Sequence, residues 1–342
     1  MLFELTRLLN KKQPFLLIKR FHGTVGLNLN MQMKSSDQIE EMACYTDTTC
    51  YKGKISNNLR IKLKDFDTSW AQNEQNALLR KRKLKEMANK LLEENRQELL
   101  RAQELLYANG KYAVLVILQG MDAAGKDSVI EHVMCGVNPQ GCKVTSFKQP
   151  STIELKHDFL WRQTVALPEK GMIGIFNRSY YEEVLIVKVH RDLLQYQNLP
   201  SRNYDRAFWE NRYEEIKDFE RHLVRNGTLI LKFFLHISKT EQKKRFIRRL
   251  SDPDKMWKFS EADIKERVYW DDYIKAYEDT INKTSAKWAP WYVIPADQKW
   301  LARSLVAEII TTTILSLGMK FPVMNEQKLK AIELFKRKLE SE

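Results

Sequence analysis

The stretch Leu118–Val129 reads LQGMDAAGKDSV and sets two glycines and a lysine at the spacing Gly120-x-x-x-x-Gly125-Lys126. Glycines so placed let backbone N–H groups converge on phosphate oxygens, and a helix opening behind them adds its partial positive charge. Lys126 can bridge oxygens whose charge grows as a phosphoryl group moves. In the usual form of this loop a Ser or Thr follows the lysine and holds Mg²⁺. Here Asp127 follows, and a second acid, Asp122, lies inside the loop. Mg²⁺ is held by oxygen ligands, often one or two carboxylates with phosphates and water. A loop without the hydroxyl therefore needs a carboxylate, and Asp122 is its expected source. Asp127 starts a helix, where an acid suits the dipole, and reads as structural. The plain alternative is a loop that only packs a helix on a strand. The strand VLVILQG before it, the helix SVIEHVM after it and Lys126 between them favour phosphate binding.

A second cluster is Ile175-Phe176-Asn177-Arg178-Ser179-Tyr180-Tyr181-Glu182-Glu183. Polar residues leaving the carboxyl end of a strand are where open α/β sheets bind ligands. Asn177 and Arg178 are expected at a transferring phosphate, and Glu182 as a second carboxylate for metal or base work. Glu183 reads as a surface ion pair. A third cluster, EQKKRFIRRLSDPDKMWKFS over Glu241–Ser260, brings Arg245, Arg248 and Arg249 to about one helical face, with Lys255 and Lys258 beyond the Asp252-Pro253 turn. Alone it would be a solvated charged helix. Beside a phosphate loop it reads as a lid that closes over phosphates.

The elements that must hold these residues follow from periodicity. KYAVLVILQG, CKVTSFKQP, GMIGIFNRS, GTLILKFFLHIS and PWYVIPA read as five strands. Helices are expected from the glycine loop to Val133, over ELKHDFLWRQTVALP, from Tyr204 to Arg225, from Thr240 and from Trp300 to Leu317. Strands alternating with helices imply βαβ units, hence an α/β fold with a central parallel five-stranded sheet flanked by helices. Upstream, Ala71 to Asn109 carries leucines at helical spacing and stops at Asn109-Gly110, and LRIKLKDFD reads as extended. The basic run Arg80-Lys81-Arg82-Lys83 is a solvated face. The expected division is a basic, disordered tail over 1–36, a helical extension over 37–110, the core over 111–318 with a lid at about 240–262, and a last helix over 319–342.

Composition narrows the partners. With 43% hydrophobic and 30% charged residues the 342-residue chain reads as soluble and globular. No apolar run reaches the roughly 18 residues of a membrane span. The net charge of +13 predicts an anionic partner. No aromatic–basic RNA-binding pattern is present, so nucleic acid is not expected. Cys44, Cys50, Cys135 and Cys142 match no zinc or redox spacing, which suits a reducing cytoplasm, and Cys135 reads as buried in a helix. The six histidines are scattered, giving no transition-metal site. The first 36 residues carry only Glu4 as an acid. They fit a transit leader, a disordered extension or a start codon placed before Met31 or Met33, and a non-catalytic tail is the expectation.

GMDAAGKDS, NPQGCKVTSFKQPS, FNRSYYEEVL, EQKKRFIRRLSDPDKMWK and WAPWYVIPADQKW, in this order over roughly residues 55 to 315, resemble the second family of polyphosphate kinases. The resemblance implies a thymidylate-kinase-like P-loop fold and Mg²⁺-dependent phosphoryl transfer between inorganic polyphosphate and AMP, ADP or ATP, with guanine nucleotides as a further option. By position Asp122 resembles the family's loop aspartate on Mg²⁺, Lys126 its phosphate lysine, Arg178 its second-motif arginine, and Arg245 and Arg249 its lid arginines. ADP-preferring relatives have Asp-Arg in the second motif and an Asn five residues after the Asp. Asn177-Arg178 with Glu182 resembles the subgroup that also accepts AMP. Tyr180 stands where His is common and Glu183 where Asp is. Lys148 and Tyr181 are further candidates for acceptor choice, and a homo-oligomer, dimer or tetramer, is expected. The rivals are an ATP-dependent nucleoside monophosphate kinase, separable by comparing donors, and a non-catalytic polyanion binder, which Lys126, Asp122 and Arg178 argue against.

Overall fold

The structure, a computed structural model, describes residues 60–69, 77–258 and 260–342. The expected tail over 1–36, the stretch up to residue 59, Cys44 and Cys50, and the side chains of Arg80, Lys81, Lys83 and Lys258 lie outside that description. The elements run α1 Ala77–Asn109, β1 Ala113–Gly120, α2 Lys126–Val133, β2 Cys142–Ser146, α3 Trp161–Thr164, β3 Ile173–Asn177, α4 Ile186–Val189, α5 Arg206–Arg225 and β4 Thr228–His236. They continue with α6 Lys239–Ser251, α7 Glu261–Lys265, α8 Trp270–Thr284, β5 Trp291–Pro295, α9 Lys299–Ser316 and α10 Glu326–Glu340.

The five strands form one parallel sheet in the order β2-β3-β1-β4-β5. Every residue of β1 and of β4 is buried, which is why AVLVILQG and TLILKFFLH are near-continuous apolar runs instead of alternating ones. Each Val, Leu or Ile buried there contributes about 1.5–3 kcal/mol. The register sets Leu118 beside Asn177 and Gly120 beside Leu235, so the carboxyl ends of β1, β3 and β4 open on one edge. The chain leaves β1 for β2 on one side of the sheet and later adds β4 on the other, so that edge at β1 is the topological switch point where such sheets bind ligands.

Helix α1 belongs to the same core. Ala88, Leu92, Asn95, Leu99, Ala102 and Leu106 form a buried stripe at alternating four- and three-residue steps, and α1 lies against α9. The one polar member, Asn95, donates to Glu308 at 2.7 Å. Gly110, at φ 64°, ends the helix by donating its N–H to the Leu106 carbonyl. Among the described residues no helix is long and apolar enough to cross a membrane.

Three local expectations need correction. ELKHDFLWRQTVALP is not one helix, because only Trp161–Thr164 makes an α turn. Ser151 and Glu154 exchange a capping pair, and Asp158 accepts from the Leu160 N–H, so two start signals a few residues apart break the segment. Cys135 is exposed in the turn after α2, not buried in a helix. LRIKLKDFD joins no sheet within its described part. The Ile61 and Leu63 amides donate instead to Asn282 and Glu278 of α8, each at 2.8 Å.

Candidate active site

The glycine loop connects β1 to α2. A Cβ on Gly120 would stand 3.0 Å from the Leu235 carbonyl of β4, so only glycine lets the chain leave the sheet there. Gly125 caps α2 at φ 106°, a conformation L side chains rarely adopt. Ala123 is also left-handed, at φ 60°, which costs about 1–2 kcal/mol for a residue with a Cβ. Lys126 folds back over the loop, its Nζ donating to the carbonyls of Gly120 at 2.6 Å and Met121 at 3.3 Å. Burial, then Arg178, pulls the Lys126 pKa down, while Asp122, Glu182 and Asp127 oppose the shift.

Arg178 leaves β3 at φ 64°, its N–H still bonded to the Leu118 carbonyl of β1. Its guanidinium meets Asp122 Oδ1 at 2.7 Å and stands 3.9 Å from Glu182 Oε2. Burial works against its charge, but Glu182 and Asp122 outweigh it and raise the Arg178 pKa. The three side chains line one cleft, whose far wall includes Asp263, Arg267 and Tyr277. Burial raises the Glu182 pKa against the pull of Arg178 and Lys126, and burial followed by Asp122 raises that of Asp263.

Whether these residues suit a divalent cation can be judged from their number. Among the described residues no three His, Cys, Asp or Glu side chains gather into a self-sufficient metal site. Asp122 and Glu182, bridged by one guanidinium, do supply the one or two carboxylates Mg²⁺ takes when phosphates and water complete its shell. The donor set therefore fits a cation shared with phosphates, not a resident cage.

The remaining expected residues divide. Asn177 donates to Asp127 Oδ1 at 2.7 Å, tying the end of β3 to the start of α2. Arg249 reaches the cleft wall through Asp263 at 3.3 Å. Lys255 is exposed and paired with Asp252. Lys148 is exposed, and its carbonyl accepts from Arg162. Tyr181 is not in the cleft. Its hydroxyl, like that of Tyr180, donates to buried Glu220, which also pairs with Lys232 of β4 at 2.7 Å. Glu183 is no surface pair either: it is buried, 3.3 Å from Arg212 Nε and accepting from Gln197. Arg245 does not stand free on a lid face. It is 7% exposed and bonded to loop carbonyls. Sequence reasoning missed Gln242, Asp263, Arg267 and Tyr277, none of which falls in a recognisable spacing. The Glu220–Lys232 pair did leave a signal, a lysine within LILKFFLH, since a charge in a doubly buried strand requires a partner.

Comparison with known proteins agrees with this geometry. The profile of Polyphosphate kinase 2 matches residues 82–320. The chain is 56% identical over 239 residues to the ADP-polyphosphate phosphotransferase of Rhodopseudomonas palustris, covering 70% of this chain and 83% of that protein. It is 48% identical over 226 residues to the AMP/ADP-polyphosphate phosphotransferase of Meiothermus ruber, covering 66% and 80%. The crystal structure of Polyphosphate Kinase 2 from Arthrobacter aurescens TC1 superposes with a TM-score of 0.70 at 39% identity, over 80% of this chain and 93% of that one. With most of its length matched and the phosphate loop, Arg178 and Glu182 gathered at one cleft, the chain belongs to the polyphosphate kinase 2 family.

Proposed function

We propose that this chain catalyses Mg²⁺-dependent phosphoryl transfer between inorganic polyphosphate and a nucleotide, with AMP as well as ADP as acceptor. The observation that carries the reading is Arg178 held between Asp122 of the loop and Glu182. It brings one cation and two carboxylates to the mouth of a phosphate cradle. Support for the substrates comes from relatives named ADP- and AMP/ADP-polyphosphate phosphotransferases.

In the forward direction a terminal P–O–P bond of polyphosphate breaks, and a P–O bond forms to a phosphate oxygen of the nucleotide. The shortened polyphosphate keeps the electron pair. Loop N–H groups and Lys126 bind the donor, with Lys126 exchanging the Gly120 and Met121 carbonyls for phosphate oxygens. Arg178 meets the charge spread over the equatorial oxygens of the loose transition state. Asp122 and Glu182 would hold Mg²⁺, which neutralises donor and acceptor oxygens. The basic residues of α6 and the turn after it hold the rest of the polyanion, Arg249 nearest the cleft.

The test is incubation of the chain with polyphosphate, Mg²⁺ and AMP or ADP, followed by nucleotide analysis, beside the same mixture with ATP as donor. Formation of ADP and ATP from polyphosphate is expected. Faster phosphorylation of AMP by ATP than by polyphosphate overturns the reading in favour of a nucleoside monophosphate kinase. GMP and GDP in the same assay test guanine acceptors, and sedimentation tests the expected dimer or tetramer.

A further inference from the structure

Arg245 has five N–H donors and five acceptors. Nε donates to Glu241 at 3.0 Å, Nη1 to the carbonyls of Ala123 and Ala124 at 2.9 and 2.8 Å, and Nη2 to those of Ala296 and Asp297 at 2.6 and 3.1 Å. One turn earlier in register, Gln242 donates to the Asp122 carbonyl at 2.9 Å. With Lys126 on Gly120 and Met121, every carbonyl from residue 120 to residue 124 is taken by a side chain. In a planar trans peptide the carbonyl of one residue and the N–H of the next point in opposite senses. Drawing the carbonyls of Asp122 and Ala124 toward α6 therefore turns the amides of Ala123 and Gly125 the other way. The Ala124 amide closes the loop on the Met121 carbonyl. The same guanidinium spans from the loop to the β5–α9 connection, where Asp297 caps the Ser238 amide at the start of α6.

We propose that Arg245 is a positioning residue: it presets the anion-binding shape of the glycine loop from the root of α6 and does not itself contact phosphate. A guanidinium enclosed with its five donors taken by four backbone carbonyls and the Glu241 carboxylate has none left for a ligand, and removing it would leave the buried carbonyls of Ala124 and Ala296 without this partner. The left-handed Ala123 lies between the two clamped peptides, so the clamp also holds the least favourable backbone of the loop. The inference rests on the proposed transfer from polyphosphate and adds to it the residue that keeps the cradle open for the donor.

The test compares Arg245→Ala and Arg245→Lys with the unaltered chain in two measurements: steady-state transfer from polyphosphate to AMP, and polyphosphate affinity across a KCl series. A residue touching phosphate contributes about 0.7 to the slope of log affinity against log salt on a single-stranded polyanion, whereas one bonded to carbonyls contributes none. Both variants are expected to lose kcat, by about 10²-fold for Arg245→Ala, as misplacement of a catalytic group does, with the salt slope unchanged. Lysine can replace at most three of the five bonds, so Arg245→Lys is expected between Arg245→Ala and the unaltered chain. Adding Ala123→Gly to Arg245→Lys is expected to restore part of kcat, because glycine keeps the left-handed turn without the clamp. A slope lower by about 0.7, one contact's worth, or a kcat equal to that of the unaltered chain, overturns the proposal. Should Arg245→Ala not fold, Arg245→Met, which removes the charge and keeps much of the aliphatic volume, decides by the same two readouts. Failure of the functional reading looks different, since the unaltered chain would then not transfer from polyphosphate at all.

Discussion

Arg178 Nη2 and Asp122 Oδ1 stand 2.7 Å apart, one residue from the end of β3 and the other from the loop that follows β1. The pair crosses the switch point of the sheet and joins the two sequence clusters of the candidate site. The same ion pair holds the Asp122 carboxylate in place, so a metal carried in with phosphates would meet a pre-positioned ligand.

Asp122→Asn retains an oxygen that can accept from Arg178 but removes the charge. It is expected to depress kcat at least about 10²-fold, a loss of ~3 kcal/mol, with the melting temperature little changed. Raising Mg²⁺ is expected to recover part of the activity. Asp127→Asn is expected to be mild, because a helix-start acid is worth ~0.3–1 kcal/mol and Asn can keep a bond to Asn177. Steady-state assays of the two variants decide. Loss in Asp127→Asn with activity spared in Asp122→Asn would reverse the assignment.

By its resemblance to the subgroup that also accepts AMP, Glu182 is the expected residue of acceptor choice, and burial raises its pKa while Arg178 and Lys126 oppose the rise. Glu182→Asn is expected to lower kcat/KM for AMP more than for ADP. An unchanged ratio would move acceptor choice to other residues. The pH dependence follows the same group. Its ionised form pairs with Arg178 and can hold a cation, so kcat/KM is expected to fall as pH drops through a value above the ordinary carboxylate range. The acid limb should be absent in Glu182→Asn. Stability runs the other way: the folded state binds this proton more tightly than the unfolded chain, so Glu182 costs stability as pH rises through its raised pKa.

Much of the site was legible because its signals are local. Glycines, a lysine and an acid within eight residues between an apolar strand and a helix define the loop, and doubly buried strands announce themselves as apolar runs. The roles of Arg245 and Tyr181 were not legible. Helical periodicity places Arg245 on a basic face, but only the closing of β5 and the loop around it converts that face into a buried clamp. Tyr181 neighbours Glu182 in sequence, yet the 3-10 turn Tyr180–Val184 sends the two side chains to opposite destinations, one to Glu220 and one to the cleft. Asp263 reaches the cleft wall from α7 across a span of sequence that carries no periodic signal.

Lys232 and Glu220 are both fully enclosed, and the pair anchors the Tyr180 and Tyr181 hydroxyls and the Thr284 carbonyl. Removing one partner leaves the other charge buried, so Lys232→Met is expected to cost about 3–5 kcal/mol in urea unfolding. Adding Glu220→Gln, which removes the stranded charge and keeps an acceptor for the tyrosines, is expected to return a substantial part of that loss. Additive costs in the double variant would show that the two charges do not act as a pair.

The last prediction concerns the net charge of +13. A polyphosphate chain laid from the loop along α6 would be held by several cations at once, among them Arg249, with Arg248 and Lys255 exposed beyond it. Each phosphate neutralised releases condensed counterions, and for a single-stranded polyanion log affinity falls with log salt at a slope of about −0.7 per contact. A nucleotide acceptor offers only its own few charges, so its affinity should fall less steeply. KM for long-chain polyphosphate is therefore expected to rise with KCl at least about twice as steeply, on logarithmic axes, as KM for AMP. Short chains that end within the loop should behave like the nucleotide. Arg249→Ala is expected to flatten the long-chain slope by about one contact and to lower kcat as well, because an arginine at the cleft edge acts on transition-state charge. Equal slopes for long polyphosphate and AMP would mean that only the terminal phosphates are held, and that the basic face of α6 is a solvated surface.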